Sequence, residues 1–132
     1  MASVETQIVE YLDGIWCPYT GRSFSSSRDT DIEHIVARSE AYASGLCAAT
    51  PETRRRFATD LLSLTLASPD VNRRQKRDRD AAAWVPDRNQ SWFADRVVRI
   101  RQKYNLTIDG REASALDQVL VSCSSQVNAS RL

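Results

Sequence analysis

The stretch Asp31-Ile32-Glu33-His34-Ile35-Val36 constrains this chain most, because it sets two carboxylates and the only histidine of 132 residues into a short β-branched run. β-Branched residues suit a pleated strand, so the stretch is expected to be one, with its polar end at Glu33-His34. Histidine is the natural general base near neutral pH, with an unperturbed pKa of about 6.5. A neighbouring carboxylate is a hard oxygen ligand suited to Mg²⁺ or Mn²⁺. Together they point to metal-assisted attack on a phosphodiester. A satisfied Glu–His pair with no chemistry is the alternative reading. Successive strand residues face opposite ways, so Glu33 and His34 share one site only if the strand ends or distorts there.

A second strand is expected at Leu62-Ser63-Leu64-Thr65-Leu66, where apolar residues alternate with period two and Leu62, Leu64 and Leu66 would share a face. After it, Ser68-Pro69-Asp70 has the grammar of a helix start. The helix so opened would contain Asn72-Arg73-Arg74-Gln75-Lys76-Arg77-Asp78-Arg79, with five basic residues and one acidic residue in eight. That concentration lies near a helix N-terminus, where free N–H groups also favour anions. A solvated helix face explains such a run equally well.

The remaining elements read as helices and turns. Ile8, Val9, Leu12 and Ile15-Trp16 give a helix over about 4–13 that Gly14 ends. Cys17-Pro18-Tyr19-Thr20-Gly21 is turn chemistry. Ala37–Ala43 is expected to be helical, and Thr50-Pro51-Glu52 opens another helix whose Arg54-Arg55-Arg56 forms a solvated face. Trp84 is expected as a core anchor. Trp92, Phe93, Val97, Ile100 and Tyr104 mark an amphipathic helix over about 90–104. Asp109 and Glu112 form a capping box before a last helix with the stripe Leu116, Val119, Leu120 and Cys123, and the chain should fray from Ser124.

A net charge of +1 excludes a general cation sponge, so nucleic-acid affinity would have to come from local clusters of the eighteen Lys and Arg residues. Cys17, Cys47 and Cys123 are odd in number and far apart, which indicates neither a disulfide framework nor a zinc ribbon. No run of about 18 apolar residues suggests a membrane span, and no leader pattern opens the chain. The expectation is one cytoplasmic domain over 1–132.

Four features in order, Cys17-Pro18-Tyr19-Thr20-Gly21, Asp31-Ile32-Glu33-His34-Ile35-Val36, Leu61-Leu62-Ser63-Leu64-Thr65-Leu66 and Val71-Asn72-Arg73-Arg74-Gln75-Lys76, resemble the HNH endonucleases. The closest branch is the HNH-type domain of GmrSD-like restriction enzymes and small stand-alone relatives. The resemblance covers roughly residues 14–86. It implies an α+β, mostly helical fold: a ββα-metal finger, made of a two-stranded antiparallel hairpin plus a helix over about 28–80, surrounded by further helices, with a helical extension over about 88–123. It also implies that His34 is the general base, that Glu33 and Asn72 hold one Mg²⁺ or Mn²⁺, and that Arg73, Arg74, Lys76 and Arg77 contact duplex DNA. Cleavage would leave 5′-phosphate and 3′-hydroxyl ends. Ser63 stands where members commonly carry the Asn that orients the histidine, so an Asn there should hold His34 more firmly. The expected function is therefore a metal-dependent DNA endonuclease, with a homodimer as one arrangement for cutting both strands. Two alternatives are a catalytically weakened nucleic-acid-binding module and a small antitoxin-like partner with no nucleic-acid role.

Overall fold

The computed structural model describes the backbone of residues 2–131 and the side chains of residues 2–122. The helices are α1 (Val4–Leu12), α2 (Arg38–Ala43), α3 (Pro51–Thr59), α4 (Gln90–Lys103) and α5 (Gly110–Arg131). Two strands, β1 (Asp31–His34) and β2 (Leu64–Ala67), pair antiparallel, and a π-helical turn over Val71–Lys76 follows β2. The chain is thus α+β and mostly helical. Among the described residues, no helix is long and apolar enough to cross a membrane.

Local chemistry sets the helix ends. Ser3 Oγ accepts the Thr6 amide at 3.1 Å to start α1, and Asp13 closes it in the left-handed region with φ 56°. Thr50 Oγ1 accepts the Thr53 amide at 3.2 Å, with Pro51 in the first turn of α3. Asp109 Oδ1 caps α5 by accepting the Glu112 amide at 2.8 Å. The reciprocal half of the expected capping box is not made. Glu112 instead places Oε1 2.6 Å from Arg101 Nε and accepts the Ala81 amide on Oε2 at 3.1 Å, joining α5 to α4 and to the segment before α4. α5 continues past Ser124, where fraying was expected, and the side chain of Cys123 lies outside the described residues.

The sheet is shorter than the sequence suggests. β1 stops at His34 because Ile35 and Val36 turn into the core. β2 begins at Leu64, and Leu62 sits in the preceding turn, fixed by Asp60 Oδ1 on its amide at 3.0 Å and by Arg96 on its carbonyl at 2.5 Å. Leu64 and Leu66 pack with Ile8 of α1, whereas Leu62 packs with the main core. That core gathers Tyr19, Ile35, Phe57, Phe93, Val97, Ile100 and Leu116, and Trp84 packs edge-on to Tyr19 at 5.1 Å as the expected anchor.

The long basic helix is absent. Ser68-Pro69-Asp70 leads into a single π-helical turn, with Asn72 O accepting from Arg77 N at 3.0 Å, and the Asp70 side chain caps nothing. Arg77, at φ 50°, ends the turn at once. Short π-helical insertions of this kind recur at functional sites.

Candidate active site

Register decides which side chains share a face. Glu33 pairs with Thr65 and Asp31 with Ala67, while His34 pairs with Leu64 and Ile32 with Leu66. Directly opposed residues share a face. Asp31 and Glu33 therefore look toward the π-helical turn, and Ile32 and His34 look the other way. β1 is regular up to His34, so Glu33 and His34 do not converge on one site.

Glu33 is sealed. It is 4% exposed, with Oε1 2.5 Å from Lys76 Nζ and Oε2 accepting the Tyr19 hydroxyl at 2.6 Å. Burial pushes its carboxyl upward against the opposing pull of Lys76 and Tyr19. Burial and the Glu33 charge together push the Tyr19 hydroxyl well up, so Tyr19 keeps its proton and donates it. Lys76 is fully buried, and its ammonium also donates to the His34 carbonyl at 3.1 Å. A side chain so placed reaches no phosphate, which removes Lys76 from the expected DNA contacts.

Asp31, and not Glu33, is the carboxylate beside Asn72, and it also holds Arg73. Asn72 Nδ2 donates to Asp31 Oδ2 at 2.9 Å, and Arg73 binds both carboxylate oxygens at 3.0 and 2.8 Å in a forked pair. Burial raises the Asp31 pKa, but the hydrogen bonds from Arg73 and Asn72 outweigh it and hold the carboxyl below its usual value. The spacing carries this signal: Asp31 and Glu33 are two apart on a strand, and Asn72 and Lys76 are four apart on a helical turn. Tyr19 and the backbone carbonyl of Ala58 left no comparable trace in the sequence.

A divalent ion on Glu33 and Asn72 does not fit this arrangement. Both Glu33 oxygens are committed, and Asn72 turns its amide to Asp31. Among the described residues no three His, Cys, Asp or Glu side chains are grouped to hold an ion.

His34 is fixed from its own side of the sheet. Its ring stacks on Phe57 at 5.4 Å between centroids and 16° between planes, and Nε2 lies 3.2 Å from the Ala58 carbonyl oxygen. Burial pulls its pKa below 6.5 against the lift from that carbonyl, and the charges of Arg38 and Lys76 add to the fall. The neutral imidazole is therefore favoured.

Ser63 does not orient the ring through its side chain. It is fully buried, its Oγ has no hydrogen-bond partner, and the link from this residue to the histidine strand is backbone, from Ile35 N to Ser63 O at 2.8 Å. The expected benefit of Asn at 63 is revised accordingly, since a larger amide would enter a closed space while Ala58 already holds the ring. A buried hydroxyl without a partner costs about 1–3 kcal/mol. Ser63→Ala is expected to raise the melting temperature without slowing any His34-dependent reaction; a lowered melting temperature would show that the hydroxyl has a partner in solution. Of the other basic residues, Arg73, Arg74 and Arg77 are exposed, with Arg74 3.5 Å from Asp70.

Residues 9–114 match the family described as GmrSD restriction endonucleases, C-terminal domain. The chain belongs to that family. It is also 32% identical over 114 residues to a protein of Arthroderma benhamiae described as "Uncharacterized secreted protein", a match covering 83% of this chain and 56% of that protein. The chain thus spans little more than half the length of that relative. No solved structure matches it.

Proposed function

We propose that this chain, acting as one unit over residues 1–132, is an endonuclease domain of the HNH type that hydrolyses phosphodiester bonds of duplex DNA with His34 as general base. The observation that carries this reading is the contact of His34 Nε2 with the Ala58 carbonyl. A carbonyl oxygen only accepts, so the nitrogen facing it bears the hydrogen, and Nδ1 keeps the lone pair that a base needs. The lowered pKa keeps that lone pair free at neutral pH. Water that loses its proton to Nδ1 attacks phosphorus, the bond from phosphorus to the 3′ oxygen breaks and that oxygen takes a proton from solvent, so that 5′-phosphate and 3′-hydroxyl ends result and His34 gives its proton back to water. The exposed Arg38, close enough to His34 to act on its charge, supports an anionic substrate there.

Within this reading the two strands and the π-helical turn correspond to the ββα-metal finger. Mg²⁺ or Mn²⁺ enters through the family, and comparison of nicking with and without EDTA reads whether it is required. No step here passes through it, because the Glu33–Asn72 set does not fit. The sealed Glu33 favours a second reading, a nucleic-acid-binding module with weakened catalysis. Gel shift without nicking would select it.

The acid limb of the nicking rate against pH tests the base. A histidine whose pKa is lowered stays neutral into more acidic solution, so the rate should hold below pH 6.5, the ordinary value, and fall only further down. A limb centred above that value would remove His34 as base. Salt dependence tests the contacts. Each phosphate contact removed lowers the log–log slope of binding against salt by roughly one. Arg73→Gln is expected to do so; an unmoved slope would leave Arg73 only its pairing with Asp31.

Placement in the cell is part of the proposal. Cys17 and Cys47 are free, which suits a reducing cytoplasm, whereas the name of the relative suits export. Fractionation of the host cells decides between them. Cutting both strands would take two copies, which sedimentation on a short duplex reads.

A further inference from the structure

We propose that Lys76 is the resident cation of Glu33, holding the place a divalent metal would take, so that Glu33 is closed to Mg²⁺ and Mn²⁺ in the folded chain. The proposal goes beyond the nuclease reading and stands whether or not DNA is cut.

A carboxylate as buried as Glu33 needs a positive charge beside it, and either an ammonium or a metal ion can supply one. The Lys76 ammonium lies 2.5 Å from Glu33 Oε1 and 3.1 Å from the His34 carbonyl oxygen. These are hard oxygen donors, one anionic and one neutral, of the kind Mg²⁺ and Mn²⁺ bind. The other carboxylate oxygen accepts the Tyr19 hydroxyl at 2.6 Å. The Lys76 chain is itself fully buried, so the ammonium has no solvated position to retreat to without reopening the π-helical turn. The ammonium already occupies the space beside Oε1. A metal entering here would have to leave the ammonium buried and uncompensated.

Mn²⁺ serves as probe because it is paramagnetic and broadens nearby resonances. In the wild-type protein, titration with Mn²⁺ is expected to broaden the backbone amide signals of Glu33, His34 and Lys76 no more than those of residues equally near the exposed carboxylates. Selective broadening of those three would overturn the proposal, and this arm needs no variant. Lys76→Met removes the ammonium and keeps an unbranched apolar side chain in its place. That variant is expected to gain one equivalent of bound Mn²⁺ by electron paramagnetic resonance and to melt higher when Mn²⁺ is added, as any ligand of the native state requires. The double variant Glu33→Gln, Lys76→Met should lose both effects. A folded Lys76→Met protein that takes up no Glu33-dependent Mn²⁺ would equally refute the idea that Lys76 stands in for a metal.

Discussion

His34→Ala is expected to reduce plasmid nicking by about 10²–10⁴-fold, the usual contribution of a general base, while leaving duplex binding nearly unchanged. No other histidine exists in the chain to take over. The ring also stacks on Phe57, which lies in the main core, so a small loss of stability accompanies the substitution. Circular dichroism at the assay temperature separates that loss from the catalytic one. A folded His34→Ala protein that nicks as fast as the parent would place the base elsewhere and reduce the Ala58 contact to a structural one.

The other large effect concerns stability. Removing one partner of a buried ion pair leaves a charge without compensation and costs about 3–5 kcal/mol, whereas replacing both partners by apolar groups of similar volume is often neutral. Glu33→Leu and Lys76→Met are each expected to show a loss of this size in denaturant unfolding, and the double variant to recover most of it. Tyr19 keeps the recovery partial, because its hydroxyl donates to Glu33 and would be orphaned by Leu. Equal midpoints for the wild type and Lys76→Met would mean that the ammonium reaches water after all.

Much of the fold was legible because local chemistry announces it. Thr50-Pro51 opens α3, Asp109 caps α5, and the apolar periods placed α1 and α4 within a residue or two of their ends. Uniqueness singled out His34 and position after the second strand singled out Asn72, but the structure sets Asn72 beside Asp31 and not beside Glu33. The roles of Glu33 and Lys76 were misread because composition cannot tell a basic residue facing solvent from one turned inward. Five basic residues in eight suggest an exposed helix, yet the π-helical turn and the positive φ at Arg77 end it early and send Lys76 into the core. Ser63 was placed on a polar face because it alternates with leucines, but both faces of β2 are covered, so alternation there carries no information about exposure.

The opposed directions of Glu33 and His34 have a mechanical consequence. A slip of β1 by one residue against β2 would exchange every side chain between the two faces, driving an imidazole toward Tyr19 and Lys76 and bringing a carboxylate out beside Phe57. Such a chain would lose its proton acceptor and its buried ion pair in one step. The Ile35–Ser63 backbone bond, just beyond the last strand pair, is the latch against that slip, so insertions or deletions between residues 31 and 35 should be far more damaging than those at Ser25, before the short turn Ser27–Asp29.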